Sequence, residues 1–319
     1  MSGRKVLVTG GAGFIGSHVA EAYQSRGDQV WVVDNLSSGK RSNVAKGIEL
    51  VEMDIGDARL AQLFGDVGGF DIVNHHAAQL DVRSSVIDPR NDARINVDGF
   101  LNVAENALKH GTKRMVFVSS GGVVYGEPEQ RPTPETAPKR PMSPYGVTKL
   151  TAEHYLFYYA NVHGLEYAAM RYSNVYGPRQ DPHGEAGVVA IFCNRIIAGT
   201  SIKIFGDGAQ TRDYVYVGDV VAANMLASDV ALPAAESIDS RAFNVGTGVE
   251  TSVNQLADEM MAAADAQIAK EYAPARPGEV QNSSLDASKI RALGWAPRQS
   301  LRNGLAATYR HIAGQGVPA

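Results

Sequence analysis

Thr9-Gly10-Gly11-Ala12-Gly13-Phe14-Ile15-Gly16 is the stretch that decides the fold. It follows the apolar run Lys5-Val6-Leu7-Val8, which reads as a buried strand. It opens segment 14–26, whose apolar and small residues recur at helical spacing and stop before Gly27. Gly11, Gly13 and Gly16 fit G-x-G-x-x-G, and Gly10, Gly13 and Gly16 fit the looser G-x-x-G-x-x-G. Glycine permits the tight turn and lets backbone N–H groups approach a pyrophosphate, to which a helix N-terminus adds partial positive charge. A glycine string alone is weak evidence; here a strand precedes it, a helix follows, and an acid closes the next apolar run. That acid is Asp34, 18 residues past Gly16 (34 − 16), close to the spacing a dinucleotide site requires. A carboxylate there accepts hydrogen bonds from an adenosine ribose diol and repels a 2′-phosphate, which favours NAD over NADP.

Working outward, strand-like runs at 30–33, 48–51, 71–74, 114–118 and 167–172 alternate with helix-like segments near 58–64, 89–110 and 145–163. Such alternation implies βαβ units and a parallel sheet with right-handed crossovers. Beyond residue 174, Pro/Gly-rich joints at 178–187, 206–208 and 274–278 separate mixed helices and short strands, the pattern of a smaller lobe. Segments 217–228 and 241–245 are expected to return to the sheet. The expected class is α/β, a Rossmann-type doubly wound parallel sheet with a smaller α/β substrate-binding lobe. The dinucleotide-binding domain takes 1–173 plus roughly 213–245, and the lobe takes 174–212 and 246–319.

Of the 319 residues 44% are apolar and 20% charged, which suits a packed core rather than a disordered chain. Thirty basic against thirty-four acidic side chains give −4, which argues against nucleic-acid or polybasic membrane partners. The single cysteine, Cys193, excludes an internal disulfide framework and a thiolate metal cluster. No run reaches the ~18 apolar residues of a membrane helix, and the N-terminus has no signal-like region. The expectation is a cytoplasmic protein. His75 and His76 are adjacent, but neighbouring strand positions face opposite ways, so no metal is expected. Asp54-Ile55 either holds an adenine edge or caps the helix that follows.

Tyr145 and Lys149 lie four residues apart in Pro144-Tyr145-Gly146-Val147-Thr148-Lys149, one turn apart on one helix face. A tyrosine base must lose its proton far below its ordinary value near 10, and a close ammonium favours the phenolate. Together with the loop, Asp34 and Asn96-Val97-Asp98-Gly99, this pair resembles the extended short-chain dehydrogenase/reductase family. More narrowly it is similar to that family's UDP-glucose 4-epimerases. Further matching stretches are Ser119-Ser120 before Val124-Tyr125-Gly126, residues 171–179, residues 212–217, Arg276-Pro277-Gly278-Glu279 and Ala292-Leu293-Gly294-Trp295.

The resemblance implies inversion of C4 of a UDP-hexose, with Tyr145 as base, Lys149 beside it and NAD as hydride acceptor. The family's 4,6-dehydratases carry an Asp-Glu pair, and its UDP-glucuronate decarboxylases a Glu, where this chain has Gly121, Gly122 and Val123, which disfavours both reactions. The family's catalytic Ser/Thr position falls on Gly121, so Ser120, Ser119 or a water replaces its hydroxyl, or Tyr145 acts without that partner and the two serines cap local backbone. The cofactor contacts implied are Gly10, Gly13, Phe14, Ile15, Gly16, Asp34, Asn35, Ser37, Ser38, Gly39, Asp54, Ile55, His76, Ala77, Ala78, Gln79, Asn96, Ser119, Tyr145, Lys149 and Tyr172. For substrate they are Asn174, Val188, Val189, Phe192, Ile204, Arg212, Arg276, Glu279 and Ser283. Arg212 and Arg276 suit a diphosphate, as permanently charged forks matched to phosphate oxygens. Ser283 leaves room for a 2-acetamido group. The apolar positions also fit plain core packing. A UDP-glucuronate or UDP-GlcNAc 4-epimerase, or a non-catalytic NAD-sensing protein, fits the same machinery. A homodimer through helices near 89–110 and 145–163 is also implied.

Overall fold

The structure, a computed structural model, describes residues 3–181, 187–275 and 280–314. The strands are β1 (Lys5–Thr9), β2 (Gln29–Asp34), β3 (Glu49–Glu52), β4 (Ile72–His75), β5 (Arg114–Ser120), β6 (Glu166–Tyr172), β7 (Asn174–Tyr176), β8 (Ile202–Phe205), β9 (Thr211–Tyr216), β10 (Ala242–Val245), β11 (Glu250–Ser252) and β12 (Lys270–Ala273). Seven of them form one sheet in the order β10-β6-β5-β4-β1-β2-β3. β1 pairs in parallel with both β2 and β4, β2 with β3, and β4 with β5. The order reverses between β1 and β4, the switch point beyond whose carboxyl ends open α/β sheets bind ligands.

The inner strands read as unbroken apolar runs because both faces are covered. Val6, Val8, Val30 and Val32 pack with Val19 and Tyr23 on one face. Leu7 and Val33 pack with Phe64, Phe100, Phe117 and Leu156 on the other. The two sets alternate along β1 with the period of two that a strand dictates. As expected, 242–245 returns to the sheet, as its outermost strand.

The expected single helix over 89–110 is three pieces: Pro89–Ala93, a π-helical turn Arg94–Gly99, and the helix Phe100–Lys109. The turn coincides with two side chains, Asp92 and Asn96, drawn into buried hydrogen bonds instead of following the helix surface.

The chain divides into two compact units. The first comprises Met1–Tyr125, Pro138–Arg171 and Val221–Phe243, and the second Gly126–Ala137, Tyr172–Val220 and Asn244–Ala319. Segment 126–137 thus belongs with the second unit. That unit holds the small sheets β11-β9-β7 and β12-β8. Its own core includes Tyr176, Phe192, Cys193, Ile204, Tyr214, Leu256 and Leu305.

Candidate active site

The glycines of the opening loop are dictated by contacts. Gly10 has φ +67°, and a Cβ on it would lie 2.6 Å from the Ala77 nitrogen. A Cβ on Gly16 would lie 2.3 Å from the Gly10 carbonyl oxygen. Gly13 is the N-cap of the helix Phe14–Ser25, which has no side-chain cap and no acid in its first turn. The first-turn N–H groups are therefore left for an anion that approaches from outside. Phe14 packs edge-on against His18, and Ile15 lies against the core.

Asp34, 7% exposed at the end of β2, accepts from Ala12 N at 2.9 Å and Leu36 N at 2.8 Å. Lone pairs remain on both oxygens for a diol. Asn35 donates to Asp54 at 2.9 Å, while Asp54 also accepts from Gly56 N at 2.9 Å, so that carboxylate shapes its own turn. Ser37 and Ser38 are exposed, and Gly39 lies against Asp34. Ile55 is buried in the core. These groups form a backbone-lined cradle with one carboxylate at its rim, which fits a dinucleotide.

Beyond β4, His75 Nδ1 bonds Thr9 Oγ1 at 2.8 Å and its ring stacks on Phe117. Burial, then Lys149, pushes the His75 imidazole well below its ordinary value and His76 down to about 3. Both are neutral rings at physiological pH. Among the described residues no group of three or more His, Cys, Asp or Glu is placed to hold a metal. Ala77 N donates to Thr9 Oγ1 at 3.3 Å, which ties the 77–79 loop to the end of β1. Gln79 and Asn96 clasp each other: Gln79 N donates to Asn96 Oδ1 and Asn96 Nδ2 to Gln79 O, both at 2.9 Å.

The helix Pro144–His163 starts at Ser143, whose hydroxyl accepts from Gly146 N at 3.2 Å, with Pro144 in the first turn. Gly164 ends it in the left-handed region. Tyr145 and Lys149 sit in its first two turns, and Lys149 Nζ lies 5.8 Å from the Tyr145 ring centroid. That ammonium is 3% exposed; it donates to Val118 O at 2.8 Å and lies 5.0 Å from the Phe117 ring centroid. Burial pushes its pKa down to about 8, against the pull of Asp92 and Glu153.

The two serines at the end of β5 diverge. Ser119 donates to Glu153 Oε1 at 2.5 Å. Ser120 stands at the N-cap of the four-residue helix Gly121–Val124 and makes no capping bond there. Glu153 and Arg171 form a fully buried pair, Nη2 to Oε2 at 2.5 Å and Nε to Oε1 at 3.0 Å. Arg171 also donates to the Tyr125 hydroxyl and to Asp239, each at 3.0 Å, and Lys139 bonds Asp239. Glu153, Arg171 and Asp92 had no role in the sequence reading. The helical spacing from Lys149 to Glu153 was the available signal.

In the second unit, Arg212 on β9 donates to Thr211 O at 2.7 Å. Asn174 begins β7 and is exposed. Ser283 N donates to Thr211 O at 3.3 Å. Val189, Phe192 and Ile204 are buried in the core with Val188 packed against it, the arrangement that apolar helix and strand faces favour. Tyr172, at the end of β6, is buried. Burial pushes the Cys193 thiol up to about 12, so it is not a nucleophile. Arg276 and Glu279 lie outside the described residues.

The family model described as "NAD dependent epimerase/dehydratase family" matches residues 6–246. A UDP-glucose 4-epimerase of Mycolicibacterium smegmatis is 44% identical over 310 residues, 95% of this chain and 97% of the relative. The crystal structure of a Thermotoga maritima UDP-glucose 4-epimerase with UDP-glucose superposes with a TM-score of 0.92 at 45% identity, covering 98% of this chain and 99% of that one. A Thermus thermophilus UDP-glucose 4-epimerase in complex with NAD gives 0.90 at 42% identity, covering 97% and 99%. On the match to its model and on these relatives, the chain belongs to the NAD dependent epimerase/dehydratase family.

Proposed function

We propose that this protein is an NAD-dependent epimerase that inverts C4 of a UDP-hexose, UDP-glucose to UDP-galactose and back, through a transient 4-keto sugar. The observation that carries the reading is a buried ammonium, Lys149, beside the Tyr145 ring at the end of β5, with the cradle of Gly10–Gly16 and Asp34 in the same unit. The chemistry NAD supplies when bound is reversible acceptance of hydride from C4.

The chain's own residues do the rest. The Phe14–Ser25 helix N-terminus and its glycines bind the pyrophosphate, and Asp34 binds the adenosine ribose. Tyr145 removes the proton of the sugar 4-hydroxyl and later returns it. The Lys149 ammonium, 5.8 Å from the Tyr145 ring centroid, favours the phenolate. Ser120 supplies the hydroxyl missing at Gly121; the engagement of Ser119 by Glu153 supports that choice between the two serines. Arg212, Asn174 and Arg276 take the diphosphate and hold the nucleotide while the keto sugar turns its other face. Ser283 leaves space for the N-acetyl forms.

We assign a homodimer to the outer face of the Pro144–His163 helix, where Val147, Tyr155, Tyr158 and Val162 are exposed. Thr151, His154, Tyr155 and Tyr158 line an apolar depression there. Light scattering of the purified protein reads that state. No described helix is long and apolar enough to cross a membrane, and we place the enzyme in the cytoplasm.

The test is separate incubation with UDP-glucose, UDP-GlcNAc and UDP-glucuronate without added NAD, with product sugars resolved by NMR. Conversion of UDP-glucose is expected. Tyr145→Phe is expected to lower kcat about 10²–10⁴-fold while NAD stays bound. Undiminished turnover in that variant would identify another base.

A further inference from the structure

Asp92 is a fully buried carboxylate. Thr148 Oγ1 donates to its Oδ2 at 2.7 Å, and Gln79 Nε2 and Asn96 Nδ2 donate to Oδ1 at 2.9 and 3.1 Å. The two amides cannot turn round to accept: Gln79 Oε1 receives Asp81 N, and Asn96 Oδ1 receives Gln79 N. Burial raises the Asp92 pKa above the ordinary carboxylate value, and the donors from Thr148, Gln79 and Asn96, with Lys149, pull back toward the anion. Its partners come from three places, the 77–79 loop, the π-helical turn and the residue next to Lys149. Thr148 Oγ1 lies in addition 3.0 Å from the Tyr145 carbonyl oxygen.

Lys149 is faced by five titratable or charged groups, and one of them, Glu153, is faced in turn by Arg171. Tyr145 and Glu153 lie on its own helix, His75 and His76 at β4, and Asp92 on the Pro89–Ala93 helix. The histidines are neutral. Glu153 is matched by Arg171 in a forked, fully buried pair, so that pair carries no net charge. All three side chains that bond Asp92 are neutral. Of the two carboxylates that act on Lys149 among the described residues, Asp92 is thus the one with no cationic hydrogen-bond partner.

We propose that Asp92 is a positioning residue that fastens the 77–79 loop to the opening turns of the Pro144–His163 helix and keeps Lys149 in its charged form. This rests on the epimerase reading of the same site. Removal of the charge takes away an attraction that favours the ammonium, so Lys149 loses its proton at lower pH.

The experiment compares wild type with Asp92→Asn, Asp92→Glu and Thr148→Val, each as the purified holoenzyme. kcat and KM for UDP-galactose, and stability to urea, are measured from about pH 6 to about pH 10. In Asp92→Asn the alkaline limb of kcat moves down by about one pH unit while KM holds. The Lys149-linked rise in stability begins lower by the same amount. Asp92→Glu restores the limb because it restores the charge. Thr148→Val lowers kcat without moving the limb. If Asp92→Asn does not fold, Asp92→Ser gives the same reading. A limb and a stability rise that stay in place in the neutral variant would make Asp92 a structural fastener only and overturn the proposal. A wild type that converts no UDP-hexose would instead remove the epimerase reading, and the urea measurement would still decide the role of Asp92.

Discussion

The opening loop and the first turns of the Pro144–His163 helix are built on opposite principles. The loop works by what it lacks. Side chains are excluded at Gly10 and Gly16 by backbone atoms within 2.6 and 2.3 Å, and the helix end at Gly13 is left uncapped. The Pro144–His163 helix works by what it buries. Lys149, Glu153 and, nearby, Asp92 and Arg171 are charged groups taken out of water. Each costs several kcal/mol unless partners answer it. Steric exclusion is local and is written in a few consecutive residues. Charge compensation is collected from β5, β6, the π-helical turn and the loop after β4.

The sharpest way to break this contrast is to leave one buried charge unanswered. Glu153→Ala takes the fully buried carboxylate from Arg171, which keeps only Asp239 and the Tyr125 hydroxyl among its named partners, and frees Ser119; it is expected to cost about 3–5 kcal/mol of stability, read by urea denaturation. Glu153→Leu combined with Arg171→Met should recover most of it. A loss below about 1 kcal/mol in the single variant would mean the pair behaves like a surface ion pair.

The loop should fail more mildly and in another currency. Gly10→Ala forces an alanine into the left-handed region against Ala77, at about 1–3 kcal/mol. NAD retained through purification should fall while Tyr145 and Lys149 keep their geometry. Full NAD occupancy in that variant would show that the loop has slack.

The smallest effect is a slope. The folded pKa of Lys149 is depressed, about 8 against an ordinary 10.5. Between those values the unfolded chain binds the extra proton, so stability rises with pH by at most about 1.4 kcal/mol per unit. The burial penalty is fully present below pH 8 and gone above pH 10.5. Activity should fall across the same window, as the ammonium is lost. The Lys149→Met variant, subtracted, isolates the rise; a difference that is flat or falls with pH would contradict the depressed value.

The loop, Asp34 and the Tyr145–Lys149 pair were legible in the sequence because each is short-range and set by geometry. So was the sheet, through its alternation of runs. The break in 89–110 was not, because no proline announces it; its cause is where Asp92 and Asn96 find partners in the folded chain. The Glu153–Arg171 pair joins a helix to a strand, and only half of it has helical spacing to Lys149. Val189, Phe192 and Ile204 show the remaining ambiguity: apolar character alone does not separate a core from the lining of a ligand strip.

Asp34 is also a structural keystone, and that bears on redesign. Its two oxygens hold the amides of Ala12 and Leu36. A side chain on Gly39 would meet Asp34 Oδ1 at 2.9 Å and Ala12 at 3.0 Å. Charge reversal at position 34, the obvious route to a phosphorylated dinucleotide, would unpick this turn before it altered any preference. A workable exchange has to supply new acceptors for both amides in the same step.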